Sequence, residues 1–136
     1  MLRIYYCSPI DICLEKAKEE IEKFKQLFSK FPNIQVEGAG FGDNPIVDSN
    51  TSWIKKKVIV SYDYRILRSC DILLVITDLK TFCSGTMLEM EYARQLGLTI
   101  ILYCPYKPKN IFLECLTDKI VYSIEELEEV LRELNE

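Results

Sequence analysis

Histidine is absent from all 136 residues. That excludes Ser–His and Cys–His nucleophile pairs and any histidine metal ligand. Proton transfer must therefore fall to carboxylates, tyrosine, lysine or cysteine. No Cys-x-x-Cys occurs either, so Cys7, Cys13, Cys70, Cys83, Cys104 and Cys115 lack the spacing of a metal site or redox pair. They read as reduced, largely buried, small apolar side chains. No apolar run approaches the roughly 20 residues that a membrane span needs. The opening MLRIYYCSPI lacks the apolar core and cleavage site of an export signal. Basic charge is sparse: the net charge is −4 and only Lys55, Lys56 and Lys57 cluster, so no face suits nucleic-acid phosphates. The expectation is a soluble, cytoplasmic protein that needs no metal or other cofactor and has no nucleic-acid or membrane partner.

What is present is a chain 49% hydrophobic, enough for one core, and its length fits a single domain over residues 1–136. Arg3 to Ser8 reads as a short buried strand. Asp11 to Phe31 carries Leu14, Ala17, Ile21, Phe24, Leu27 and Phe28 at helical spacing. Asn33 to Glu37 is a second strand. Gly38 to Asn50 is a long loop of Gly, Asp, Asn and Pro, of the kind that carries function. Its G-A-G-F-G run lacks dinucleotide-loop spacing, and a lid is the better reading. Thr51 to Ser69 is helical despite a β-prone Val58, Ile59 and Val60. Asp71 to Thr77 is a continuous apolar strand, the mark of a parallel strand covered on both faces. Thr86 to Leu96 is a helix closed by Gly97 as its C′ residue. Leu98 to Tyr103 is a buried strand, a loop follows, and Lys119 to Tyr122 is a last strand. Ser123 and Glu126 form a capping box for the final helix.

This alternation predicts an α/β flavodoxin-like three-layer sandwich with a five-stranded parallel sheet. Ligands of such folds sit beyond the carboxyl ends of the strands. Those ends are Tyr6 to Ser8, Gly38 onward, Thr77 to Ser84, and Cys104 onward.

One of them runs into C-S-G-T-M-L-E-M-E-Y-A, Cys83 to Ala93. At about 100° per residue, Leu88, Tyr92 and Leu96 form one stripe of the helix. Glu89 lies at its edge, toward Ala93, while Glu91 lies opposite, on a solvated face. A carboxylate on the covered side is costly unless it is hydrogen-bonded or faces a cleft. Two readings of Glu89 stay open on spacing: a cleft carboxylate, or a helix-start acid complementing the dipole. Ser84, Gly85 and Thr86 present backbone N–H groups where strand feeds helix, a site for hydroxyls or an anion. They also suit ordinary capping.

C-S-G-T-M-L-E-M-E-Y-A-R-Q-L-G resembles the D-S-G-T-x-x-E-x-G-x-A-x-x-x-G motif of the nucleoside 2-deoxyribosyltransferase family. I-Y-Y-C-S-P-I is similar to the family's opening I-Y-x-A-G-P-I. Y-D-Y-R-I-L-R-S-C-D is similar to N-D-x-x-x-I-x-x-x-D, with Asp63 eight residues before Asp71. P-K-N-I-F-L-E-C-L-T-D resembles the P-x-N stretch near the C-terminus. Together, in the same order along the chain as in the family, they span most of the chain.

The resemblance implies roles. Glu89 matches the nucleophile that attacks the anomeric carbon of deoxyribose, Tyr5 the tyrosine that orients it, and Asp63 the acid serving the departing base. Asn110 matches an asparagine that reaches a neighbouring subunit's sugar 5′-hydroxyl, which implies a homodimer or higher homo-oligomer. Ser8, Cys83, Ser84 and Gly85 fall at substrate-binding positions. The chemistry needs neither histidine nor metal. Three positions depart from the family pattern. Cys83 replaces the aspartate that holds the sugar 5′-hydroxyl; deoxynucleoside 5′-monophosphate N-hydrolases also lack that aspartate. Ser8 replaces a glycine at the sugar site. Glu91 replaces a glycine at a position facing solvent.

The implied activity is transfer of deoxyribose between nucleobases, with a deoxynucleoside or deoxynucleotide and a free nucleobase as partners. Hydrolysis of a 5′-monophosphate and nucleotide sensing without turnover are the alternatives. Other constellations carry less. A phosphatase-type Cys83 would need an arginine where Glu89 stands. Asp78 as a phosphoacceptor would need an acidic pair after the first strand. Trp53, Tyr62 and Tyr64 read as core or interface aromatics.

Overall fold

The alternation of apolar side chains along each strand decides which layer of the molecule it feeds. The computed structural model describes residues 1–8, 14–41, 50–77, 84–108 and 110–136. In chain order these form β1 (Leu2–Cys7), α1 (Leu14–Phe28), β2 (Ile34–Glu37), α2 (Trp53–Arg68), β3 (Ile72–Ile76), α3 (Ser84–Leu96), β4 (Thr99–Tyr103), α4 (Ile111–Leu116), β5 (Lys119–Val121) and α5 (Ile124–Leu134). The strands pair in parallel in the order β2-β1-β3-β4-β5. This is the flavodoxin-like order, and its reversal lies between β1 and β3.

Period-2 geometry divides the core. Ile4 and Tyr6 of β1, with Ile72, Leu74 and Ile76 of β3, face α1 and α5 through Ile21, Phe24, Leu127 and Leu131. Tyr5 and Cys7, with Leu73 and Val75, face α2, α3 and α4 through Leu67, Met90, Ala93 and Leu113. All five residues of β3 are buried, which explains its unbroken apolar sequence.

Local chemistry fixes the helix ends. Ser52 caps α2 by accepting from Lys55 N. Ser123 accepts from Glu126 N at 3.1 Å, and the Glu126 carboxylate accepts from Tyr122 N at 2.9 Å. The reciprocal bond therefore reaches one residue further back than a standard capping box. Gly97, at φ +80°, ends α3, with Leu98 N donating to Ala93 O at 3.0 Å. Gly38, at φ +126°, follows β2 so closely against β1 that a Cβ would collide with the Tyr6 carbonyl oxygen.

Several sequence expectations need correction. The connection before β5 holds a helix, α4, where a plain loop was expected. Asn110 is the reason: its Oδ1 accepts from Phe112 N and Leu113 N and starts the helix. The apolar stripe of α3 does not face the sheet. Leu88 is 61% and Leu96 40% exposed, whereas Thr86, Met90 and Ala93 are buried. Small Ala93 lets the helix approach the strands, and that packing outranks side-chain size. Of the core-or-interface reading of Trp53 and Tyr62, their exposure excludes only the core. Lys57 sits 5.2 Å above the Trp53 ring and Arg65 5.8 Å from the Tyr62 ring. At the start of the segment read as a lid, Phe41 is buried against Tyr6 with ring centroids 4.8 Å apart. Residues 42–49, the rest of that segment, lie outside the described residues. Cys7, Cys70 and Cys104 are buried as expected, but Cys115 is exposed.

Candidate active site

The C-terminal end of β1 brings two polar side chains to the switch point of the sheet. Tyr5 pairs in register with Leu73 and Cys7 with Val75. Both project toward the layer of α2, α3 and α4. From α3, Glu89 lies at the margin of the buried face formed by Thr86, Met90 and Ala93, three residues beyond Thr86 and thus on its side of the helix. From α2, Asp63 and Tyr64 complete the group.

Glu89 is half-buried as a residue, but its Oε2 is fully enclosed and has no hydrogen-bond partner among the described residues. Burial pushes its carboxyl up to about 7; the hydrogen bond with Cys7 pulls the other way, and the Asp63 charge adds to the rise. The Tyr5 hydroxyl is pushed far above its ordinary range, chiefly by burial and then by Glu89 and Asp63. It therefore stays a neutral O–H donor at every physiological pH. Tyr64 is raised by burial, then by Glu89 and Tyr92. Its ring meets that of Tyr92 edge-on at 5.1 Å, joining α2 to α3.

Tyr5, Asp63 and Glu89 thus share one electrostatic cluster. The remaining candidates are dispersed. Ser8 is half-buried and neighbours the Tyr6 side chain, on the other face of β1. Gly85 is exposed in the first turn of α3, which begins at Ser84. Asn110 is half-buried, and its carbonyl oxygen is engaged in capping α4. Cys83 and Asp78 lie outside the described residues. Glu91 points to solvent, where hydrogen bonds from Arg94 at 2.6 and 2.8 Å, then Gln95, hold its carboxyl at about 2. An open groove lined by Ile54, Lys57, Val58, Ser61 and Arg65 follows the face of α2 opposite Asp63 and shares no residue with the cluster.

As cluster members, Cys7 escaped sequence reasoning altogether, Thr86 was read only for its backbone N–H, and Tyr64 only as a core or interface aromatic. Cys7 had a usable signal, because it follows Tyr5 by two residues on a strand and must share its face. Thr86 likewise precedes Glu89 by three on a helix. Tyr64 carried no such signal, since its place depends on how α2 lies against α3.

Neither a protein-family model nor a curated protein sequence matches the chain. Solved structures do. A 2-deoxyribosyltransferase from the psychrotolerant bacterium Bacillus psychrosaccharolyticus aligns with a TM-score of 0.75 at 19% identity, over 95% of each chain. A conserved protein from Enterococcus faecalis aligns with a TM-score of 0.79 at 16% identity, over 98% of this chain and 99% of its own. A 2-desoxiribosyltransferase from Leishmania mexicana aligns with a TM-score of 0.55 at 20% identity, over 78% of this chain and 66% of its own. At these identities the shared property is the fold, and function must be argued from the site.

Proposed function

We propose that this chain cleaves the N-glycosidic bond of 2′-deoxynucleosides and passes the deoxyribosyl group to a second nucleobase through an ester on Glu89. The observation that carries the reading is the enclosed Glu89 carboxylate, its Oε2 without a partner among the described residues, beside Tyr5 and Asp63 at the sheet's switch point. The fold shared with a 2-deoxyribosyltransferase supports it.

The chemistry follows from what each group can do. Ionised Glu89 attacks the anomeric carbon from the face opposite the base, through an oxocarbenium-like transition state. The carbon–nitrogen bond breaks, and the departing base takes a proton from Asp63. Tyr5, always protonated, belongs to the same cluster and can turn its O–H toward the Glu89 carboxylate as the sugar binds. A second base then gives its proton to Asp63 and attacks the same carbon, which restores the Glu89 carboxylate. Burial leaves that carboxylate poorly solvated, which favours bond formation over ionisation in water.

The exposed apolar side chains of the α2, α3 and α4 layer, among them Trp53, Ile54, Leu88, Ile111 and Phe112, support a homo-oligomer as the working unit. A second reading concerns the substrate. Cys83 stands where related transferases carry an aspartate, so a 5′-monophosphate meets one negative charge fewer, and water could replace the second base as acceptor.

Incubation with a deoxynucleoside and a different free base tests the first reading. Base exchange that disappears in Glu89→Ala is expected; exchange that persists in that variant contradicts it. Parallel rates with the 5′-monophosphate decide the second, and a strong preference for the unphosphorylated substrate rejects it.

A further inference from the structure

Cys7 takes no part in the steps above, yet it touches two members of the cluster. The residue is 5% exposed and lies one strand period beyond Tyr5. Its Sγ stands 3.7 Å from Thr86 Oγ1 and is hydrogen-bonded with the Glu89 carboxylate. One sulfur therefore bridges two side chains on the same face of α3.

A thiol has a single proton to give, and two of the groups it meets, Thr86 and Glu89, can accept it. The ionised carboxylate is the stronger one. The Thr86 hydroxyl carries its own proton and can return it to the sulfur. The chain of donors that satisfies all three groups runs from Thr86 to Cys7 to Glu89.

We propose that Cys7 is a positioning residue for Glu89: its thiol, backed by Thr86, holds one carboxylate oxygen and leaves Oε2 turned toward the sugar. Glu89 is faced by Tyr5 and Cys7 from β1, by Asp63 and Tyr64 from α2, and by Thr86 from its own helix. Burial and Asp63 favour its protonated form, while Cys7 opposes them and keeps the nucleophile available near neutral pH. The catalytic consequence rests on the reaction proposed above, but the contact itself is measurable without substrate.

The test is an NMR titration of the Glu89 carboxyl carbon in the whole protein, free of substrate and assigned by its loss in Glu89→Gln. In Cys7→Ala the midpoint should rise by about one pH unit, the effect of losing a hydrogen bond to a charged group. In Cys7→Ser, where a stronger donor remains, it should fall below the wild-type value. Thr86→Val should raise it by less than Cys7→Ala does. A Cys7→Ala protein that folds and titrates like the wild type overturns the proposal. If that variant does not fold, Cys7→Ser decides, and an unchanged midpoint overturns it. Base exchange by the wild type is scored separately. Shifted midpoints without exchange uphold the contact and sink the reaction; exchange without shifted midpoints does the reverse.

Discussion

The rings of Tyr64 and Tyr92 meet edge-on at 5.1 Å, and this contact ties the helix that carries Asp63 to the helix that carries Glu89. The two acids come from segments far apart in sequence, so their relation depends on how α2 seats against α3. Removing the Tyr92 ring forfeits an aromatic pair worth about 1 kcal/mol together with the area it buries. Tyr92→Ala should lower unfolding free energy by roughly 2 kcal/mol and kcat by about tenfold. Tyr92→Phe should keep both near wild type. Denaturant unfolding with steady-state kinetics checks this.

Glu89 makes the protein's stability depend on pH. Its folded carboxyl titrates at about 7 against a reference of 4.5. A raised acid binds its proton more tightly when folded, so the contribution is intact below the unfolded value and is lost as pH rises through 7. Above pH 8 the buried charge costs up to about 3 kcal/mol. Glu89→Gln should therefore raise the melting temperature by several degrees at pH 8 and change it little at pH 4. Thermal unfolding at the two pH values is the check.

The same titration governs the reaction. The proposed reaction needs one proton on the Asp63–Glu89 pair, held by Asp63 for the departing base while Glu89 is ionised, so kcat/KM should fall as pH rises through about 7 and the pair loses that proton. A fall centred near the ordinary glutamate value would assign that proton to another group. A pH–rate profile on the free enzyme decides.

Asn110 invites a separation of roles. Its Oδ1 caps α4 by accepting from Phe112 N at 2.8 Å and Leu113 N at 3.3 Å. Asn110→Ala should cost about 1 kcal/mol through the lost cap alone. Asn110→Asp keeps the acceptor and should preserve stability while losing the amide donor. Activity lost in the aspartate variant, with stability kept, would place the amide NH2 on substrate; activity kept would leave capping as its whole role.

The outer apolar layer predicts self-association. Leu88 is 61% and Phe112 64% exposed, on adjacent helices. Sedimentation velocity should show a dimer or larger species, and Leu88→Glu should shift it toward monomer with a fall in base exchange. A wild-type protein that remains monomeric across concentrations contradicts this.

The sheet was readable because β3 is apolar without a break and α1 keeps strict helical spacing; both patterns follow from burial on known periods. The seat of α3 was not. Its largest apolar side chains, Leu88 and Leu96, point outward, and Thr86, Met90 and Ala93 take the sheet. A wheel weighted by hydrophobicity cannot foresee that, since it contains neither neighbouring helix. Helix α4 was missed because six residues carry little periodicity, although its Asn110 cap stood in plain view. At the site, Glu89 drew notice as a costly group on a covered helix face, and Tyr5 only through the family resemblance. Cys7 did not, because a cysteine on a buried strand passes for a small hydrophobe.

The most direct measurement is intact-mass and peptide mass spectrometry of protein quenched in acid during turnover of a deoxynucleoside without acceptor base. The account predicts one deoxyribosyl adduct, on the peptide containing Glu89, that vanishes in Glu89→Gln and is released when a second base is added. Steady base exchange with no adduct on that peptide, or an adduct that persists in Glu89→Gln, would contradict it.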